Sequence, residues 1–315
     1  MQKKYYEDSS ISSAHIVGSY RWHENFPYES QLLYKRGDFR FPLFETTTEK
    51  VALDFACGPG RMVGRMSHLF KRVDGVDISQ VLIDEARENH SGSNFYVSSG
   101  DDLGSVPSNT YDFIYSTIAM QHIAVRSIRL KILQEFKRVL KDGGKFTIQM
   151  AFNPDFPYVI NKGSVTLGDY KVRLLKKDNA HASWNENKID AKETNGHCDV
   201  GISYGTLPDS IKDFESVFDD VDFWFYDTRL IFDNLAGEKH GAYWASHWIF
   251  ISGEKRAVHE ESKEKDIRRR NLWSQRNYEF AVPDKNSFME VAKRIARKSK
   301  YYEPLKKSVK KIFNL

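Results

Sequence analysis

The sequence predicts an α/β fold: a seven-stranded, mostly parallel sheet with helices on both faces, an insertion after the fifth strand and a helical C-terminal extension. Three observations lead there. Short apolar runs alternate with helix-periodic segments from residue 51 to residue 152, as parallel strands joined by covering helices require. The first of these runs breaks on glycines, in LDFACGPGR (53–61). A helix-periodic segment and two further strands then follow a long polar stretch at 152–206.

Taken in order, VALDFA (51–56) is a buried strand ended by glycines, with a helix from Arg61 to about Phe70 after it. VDGVD (73–77) is a second strand. Ser79 has the chemistry of an N-cap for the helical run VLIDEARENH, because its hydroxyl can accept an otherwise unpaired N–H of the first turn. NFYVSS (94–99) and DFIYSTIAM (112–120) read as strands three and four. IRLKILQEFKRVL (128–140) is amphipathic at helical spacing, and KDGG (141–144) is expected to stop that helix. KFTIQMAF is the fifth strand. PDSIKDFESVF (208–218) reads as a helix, and VDFWFYD (221–227) and SHWIFIS (246–252) as the last two strands. The organisation expected is an N-terminal lid or cap at 1–45, a catalytic domain at 46–253 and a basic helical extension at 254–315.

Composition is that of a soluble globular chain of 315 residues, long enough to bury a large core. No apolar run is long enough to cross a bilayer, and the first residues lack the apolar stretch of a signal peptide, so a cytoplasmic location is expected. Cys57 and Cys198 form no metal-ligand spacing and no disulfide framework, and Cys57 is expected to pack as a small apolar residue. The net charge of +4 is unevenly spread: residues 255–315 hold 18 Lys and Arg against 8 Asp and Glu, so residues 1–254 are net acidic.

A glycine turn between first strand and first helix lets backbone approach a ligand and offers unpaired N–H groups to it. Residues 58–60 read GPG, and Gly64 does not complete the GxGxxG spacing of dinucleotide sites. Asp77, ending the second strand, can instead accept hydrogen bonds from both ribose hydroxyls, and Gly100-Asp101-Asp102 after the third strand can receive an adenine amino group. The combination favours an adenosine cofactor without a pyrophosphate.

At this point the chain resembles the class I methyltransferases that use S-adenosyl-L-methionine and release S-adenosyl-L-homocysteine. LDFACGPGR looks like their first motif, GVDIS their second, SSGDDL their third, YDFIYSTIAMQHI their fourth, and LKDGGKFTIQM the segment into the fifth strand. The resemblance implies a Rossmann-like methyltransferase sheet. It also implies residue roles: Asp54, Ala56, Gly58 and Gly60 for the methionine moiety, Asp77 for the ribose, Asp101, Asp102 and Leu103 for the adenine, and Ser116 and Thr117 beside the sulfonium, with Ile78 a further cofactor-binding residue. The TNGHCDV insertion (194–200) followed by the PDSIKDF helix is similar to methyltransferases associated with bacterial surface polysaccharide and glycan assembly. That implies a sugar hydroxyl as acceptor, on a nucleotide-linked sugar or a growing glycan.

A sulfonium already carries the reactive methyl, so the protein must align the acceptor and, for a hydroxyl, take its proton. An amine needs only its neutral form. Base candidates are His122 after the fourth strand, which also reads as a structural histidine, and His181, His197 and Asp199 in the insertion. A metal site built from the last three matches no common ligand spacing. Trp184, Asn185 and Asn195 suit a polyhydroxylated acceptor, and a polar surface loop would share their composition. Tyr20 and Trp22 belong to the N-terminal segment, which reads as a lid or as plain packing.

The basic extension suits peripheral contact with an anionic membrane, docking on the catalytic domain, or clamping the phosphates of a nucleotide sugar. No nucleic-acid partner is expected, since residues 1–254 are acidic and carry no recognised binding module. Two other readings stand beside sugar O-methylation: N-methylation of a small amine or phospho-amine, and a non-catalytic cofactor-binding scaffold at a membrane.

Overall fold

The computed structural model describes residues 26–123, 125–152, 163–167, 170–174, 181–183, 199–202, 207–227 and 247–256. It divides into two compact units, 1–164 with 173–258, and 165–172 with 259–315. The large sheet and the site belong to the first. In the second, the described residues are strand segments 165–167 and 170–172.

The elements are α1 (Tyr28–Leu33), β1 (Val51–Phe55), α2 (Arg61–Met66), β2 (Arg72–Asp77), α3 (Gln80–Asn89), β3 (Phe95–Val97), β4 (Tyr111–Ser116), α4 (Arg126–Val139) and β5 (Leu140–Phe152). Then come β6 (Gly163–Leu167), β7 (Tyr170–Leu174), β8 (His181–Ser183), β9 (Asp199–Gly201), α5 (Leu207–Glu215), β10 (Asp219–Asp227) and β11 (His247–Glu254). Seven strands form one sheet in the order β10-β11-β5-β4-β1-β2-β3. β11 runs antiparallel to both of its neighbours, so the sheet is mixed with one reversed strand. Within the insertion, β6 pairs with β7 and β8 with β9.

Alternation along the strands decides what covers each face. Ala52 and Asp54 on β1 are in register with Phe113 and Tyr115 on β4, and this face packs against α1, α2 and α3 through Leu32, Met62, Val63, Met66 and Ile83. The opposite face carries Phe55 and Phe146, whose rings meet Phe136 of α4 at 5.1 and 6.5 Å. Phe146 also meets Phe214 of α5 and Phe218 just beyond it, at 5.9 and 4.5 Å. A fully buried phenylalanine contributes about 1.5–3 kcal/mol, which makes this ring cluster a principal anchor of α4 and α5. Three layers result, with the carboxyl ends of the parallel strands at one edge.

Ser79 caps α3 as its sequence predicts, accepting from Leu82 N at 3.4 Å. KDGG does not stop a helix. α4 ends at Val139 with Leu140 already extended, and the glycines lie in the bulged start of β5. Gly143 N donates to Lys255 O at 2.6 Å and Lys255 N to Gly144 O at 2.8 Å, so a partner 111 or more residues away takes the backbone groups that a cap would have used. α1 (YESQLL) ends at Leu33: Tyr34 is extended, and Arg36 sits at φ 61° in the turn that follows.

No helix among the described residues is long and apolar enough to cross a membrane. The basic extension beyond residue 256 lies outside the described residues.

Candidate active site

The loop after β1 is built by three left-handed residues in five: Ala56 (φ 59°), Gly58 (φ 53°) and Gly60 (φ 89°). Glycine takes this conformation freely, whereas Ala56 costs about 1 kcal/mol, so packing must hold it. Cys57 N donates to Val76 O at 3.1 Å, and the Cys57 thiol fills the space left by Gly75, where a β-carbon would lie 2.6 Å from Sγ. Burial pushes the thiol well above its ordinary titration range, so it packs as the small neutral residue expected. Behind the loop, the His90 imidazole covers both Gly60 and Gly64. A β-carbon would come within 2.4 Å of the ring at Gly60 and 2.7 Å at Gly64.

Sequence reasoning missed His90. The available signal was the G-x-x-x-G spacing of 60–64, one bare helical face waiting for a flat ring.

Asp77 is 8% exposed, and its two oxygens accept from Gly58 N and Ser79 N, each at 2.9 Å. Burial raises its pKa and these donors oppose the rise. The same carboxylate thus ties the glycine loop to the start of α3 and keeps further lone pairs for a ligand diol. Ile78 follows it, its side chain lying under Gly100.

Asp54 is 2% exposed, and among the described residues no hydrogen bond reaches its carboxylate. Desolvation holds its pKa well above the usual range, opposed by the nearby Arg61 charge and reinforced by Asp77. Arg61 in turn has a buried Nε with no hydrogen-bond partner, and its guanidinium stands 5.6 Å from the centroid of the Tyr28 ring. Arg65 lies 5.1 Å from the same ring and anchors α1 through Glu29 and through Phe26 O at 2.7 Å. Tyr28 is fully buried and its hydroxyl is pushed up to about 12, chiefly by desolvation. Arg61, directly after the GPG turn, is a second residue the sequence reading did not assign.

After β3, the three acidic-turn residues separate in role. Asp101 is turned to solvent and pairs with Lys131 at 2.7 Å, which holds its pKa low together with Ser99. Asp102 accepts from Gly104 N at 2.8 Å and Ser99 N at 3.3 Å, so it shapes the turn. Leu103 is fully buried and its N–H donates to Glu135 at 3.1 Å. At the end of β4, the Ser116 hydroxyl donates to Phe55 O at 3.1 Å, joining β4 to β1, while Thr117 is partly exposed.

On the other side of β4, His122 closes a 3-10 turn, Met120–His122. β9 lies against that turn and against β5, and Ile202 bridges to Phe152. In the β8–β9 pair, His181 and Asp199 are direct register partners. The backbones of three base candidates, His122, His181 and Asp199, therefore converge near the carboxyl ends of β4 and β5. His197, Trp184, Asn185, Asn195, Tyr20 and Trp22 lie outside the described residues. Among the described residues, no group of three or more His, Cys, Asp or Glu is placed to hold a metal.

Among the described residues, a half-buried arginine whose Nε has no hydrogen-bond partner, a buried acid that no hydrogen bond reaches and a diol-ready carboxylate line one edge. The family described as methyltransferase domain matches residues 53–148, the span that contains all three. Residues 53–148 are a methyltransferase domain. It is of the S-adenosylmethionine-dependent kind. An uncharacterized methyltransferase of Schizosaccharomyces pombe is 31% identical over 102 residues, 31% of this chain and 38% of that protein. A protein of Encephalitozoon cuniculi described as a methyltransferase is 34% identical over 104 residues, 32% of this chain and 45% of that protein. The chain thus spans less than half the length of these curated relatives, and neither description names an acceptor.

Among solved structures, a Haloferax volcanii complex of the Trm112 methyltransferase activator with a protein described as a methyltransferase matches with TM-score 0.50 at 12% identity. That likeness covers 81% of this chain and 98% of that one, and it shows the fold alone.

The methyltransferase domain fits its cofactor by the test of its orphaned groups. A zwitterionic amino-acid end needs one cation and one anion, and among the described residues of this loop Arg61 Nε and the Asp54 carboxylate are without hydrogen-bond partners. Asp77 suits a ribose, and Asp101 is the acid of the third motif left at the surface.

Proposed function

We propose that this protein transfers a methyl group from S-adenosylmethionine to a hydroxyl of a polyhydroxylated acceptor, on a nucleotide-linked sugar or a glycan. The observation that carries methyl transfer is the line of Asp54, Arg61, Asp77 and Asp101 along the carboxyl edge of a methyltransferase domain. S-adenosylmethionine supplies an electrophilic methyl on a sulfonium. Arg61 and Asp54 bind its charged end, Asp77 orients the ribose, and the glycine loop brings backbone close without a side chain in the way.

The hydroxyl acceptor is supported by the density of amides, hydroxyls and imidazoles in residues 181–199, and by the register pairing of His181 with Asp199 beside the His122 turn. A hydroxyl must lose its proton as the new bond forms, so an imidazole or a carboxylate is the kind of group that serves it. An amine would need neither.

The test is transfer of labelled methyl from S-adenosylmethionine into fractionated small-molecule and glycan extracts, with Asp77→Ala as the cofactor-site control. Label in a nucleotide-sugar or glycan fraction, lost with His181→Ala or Asp199→Ala while S-adenosylhomocysteine still binds, supports the reading. Label in amines alone, indifferent to both substitutions, would replace it with N-methylation. Tight cofactor binding with no transfer would leave a scaffold.

A further inference from the structure

β5 alternates cleanly. Phe146 faces α4 and α5, whereas Thr147 faces α1, its hydroxyl donating to Leu32 O at 2.9 Å. Gln149, two residues further toward the carboxyl edge, shares the α1 face. It is fully buried, and among the described residues neither its amide nitrogen nor its amide oxygen has a hydrogen-bond partner.

Its surroundings make this costly. Phe250 on β11 is its register partner, Trp224 stacks on Phe250 at 5.9 Å, and Phe26 meets Phe250 at 6.1 Å. Two neighbouring polar groups on this face are paired: besides Thr147, Trp224 Nε1 donates to Gln31 at 3.0 Å. An amide sealed among aromatic rings with both ends unmet is retained against its own desolvation, and a hydrogen-bonding ligand removes that cost.

The sheet order says which ligand. β2 and β3, which carry the ribose and adenine residues, lie on one side of β1; β5 lies on the other, beyond β4. Two strand spacings put it roughly 10 Å from β1, on the acceptor side of the methionine end.

We propose that Gln149 reads the acceptor, its amide donating to and accepting from a neutral hydroxyl next to the one methylated. This rests on the methyltransferase reading above and adds to it. Apolar walls and an uncharged amide select a neutral polar group over a phosphate or an ammonium.

The experiment replaces Gln149 by Met, an unbranched apolar side chain of similar length, with Gln149→Leu as the second variant should the first not fold. Three quantities are measured: thermal midpoint without ligands, S-adenosylhomocysteine affinity by calorimetry, and labelled-methyl transfer into the neutral carbohydrate fraction of cell extract across a dilution series. The midpoint is expected to rise by roughly 3 °C or more. Homocysteine-product affinity stays constant and transfer falls roughly tenfold or more, mainly through a higher apparent KM. A lowered midpoint in both variants, or transfer equal to wild type, would overturn the role of Gln149 alone. A wild-type protein that labels only amines overturns the hydroxyl acceptor and this inference with it.

Discussion

The imidazole of His90 lies so close over Gly64 that a β-carbon there would sit 2.7 Å from its Cε1. Two effects then oppose each other in Gly64→Ala. Helix propensity favours alanine inside α2 by about 1 kcal/mol, and overpacking against the ring costs about 1–3 kcal/mol. The clash wins in the wild-type background, so Gly64→Ala lowers stability in denaturant titration. In a His90→Ala background the same substitution raises it by about 1 kcal/mol. An unchanged sign between the two backgrounds would show that the ring yields without cost.

Asp54 predicts a pH-dependent trade of stability for binding. Its pKa is higher folded than unfolded, so between those two values the folded state binds more protons. Stability contributed by the protonated acid is present below the unfolded value, about 3.9, and is lost as pH rises through the folded one. Asp54→Asn removes that loss. The variant without ligands should melt above wild type at about pH 8 and converge with it near pH 4, while its affinity for S-adenosylhomocysteine drops roughly tenfold or more. Melting curves that stay parallel across the range would deny the buried charge.

Asp77 behaves oppositely. Asp77→Ala strands Gly58 N and Ser79 N, two donors it now accepts from at 2.9 Å, at about 1–3 kcal/mol each. Stability and cofactor affinity should fall together, with the glycine loop losing hydrogen-exchange protection. Retained protection at Gly58 would mean that another group holds the loop.

Asp101 is exposed and tied to Lys131, so Asp101→Ala should leave the thermal midpoint unchanged while weakening S-adenosylhomocysteine several-fold. Asp102→Ala should do the reverse, loosening the 99–104 turn that its carboxylate accepts from at both ends. Equal effects of the two substitutions on affinity would contradict this division.

Much of the framework around the glycine loop could be read directly. Asp54, Asp77, the GPG turn and the Ser79 cap each follow from local rules: an apolar run that must break, a φ above zero that asks for glycine, a first turn that needs an oxygen. The turn at 101–103 follows β3, but its division into a surface acid, a turn-shaping acid and a buried leucine depends on Lys131 and Glu135 some thirty residues on. KDGG misled because a glycine stop and a glycine bulge look alike until Lys255 supplies the strand-side partner.

By itself, then, the sequence determined the order and kind of the elements and the loop that opens the methyltransferase domain, because periodicity, capping and left-handed turns act within a few residues. Only the tertiary structure decided that His90 covers Gly60 and Gly64, that Arg61 keeps a buried unpaired nitrogen beside Asp54, that His181 and Asp199 share a register, and that Gln149 is sealed without a partner. Each of these is set by which strands and helices lie side by side, and hydrogen bonding and close packing between distant segments leave no periodic trace along the chain.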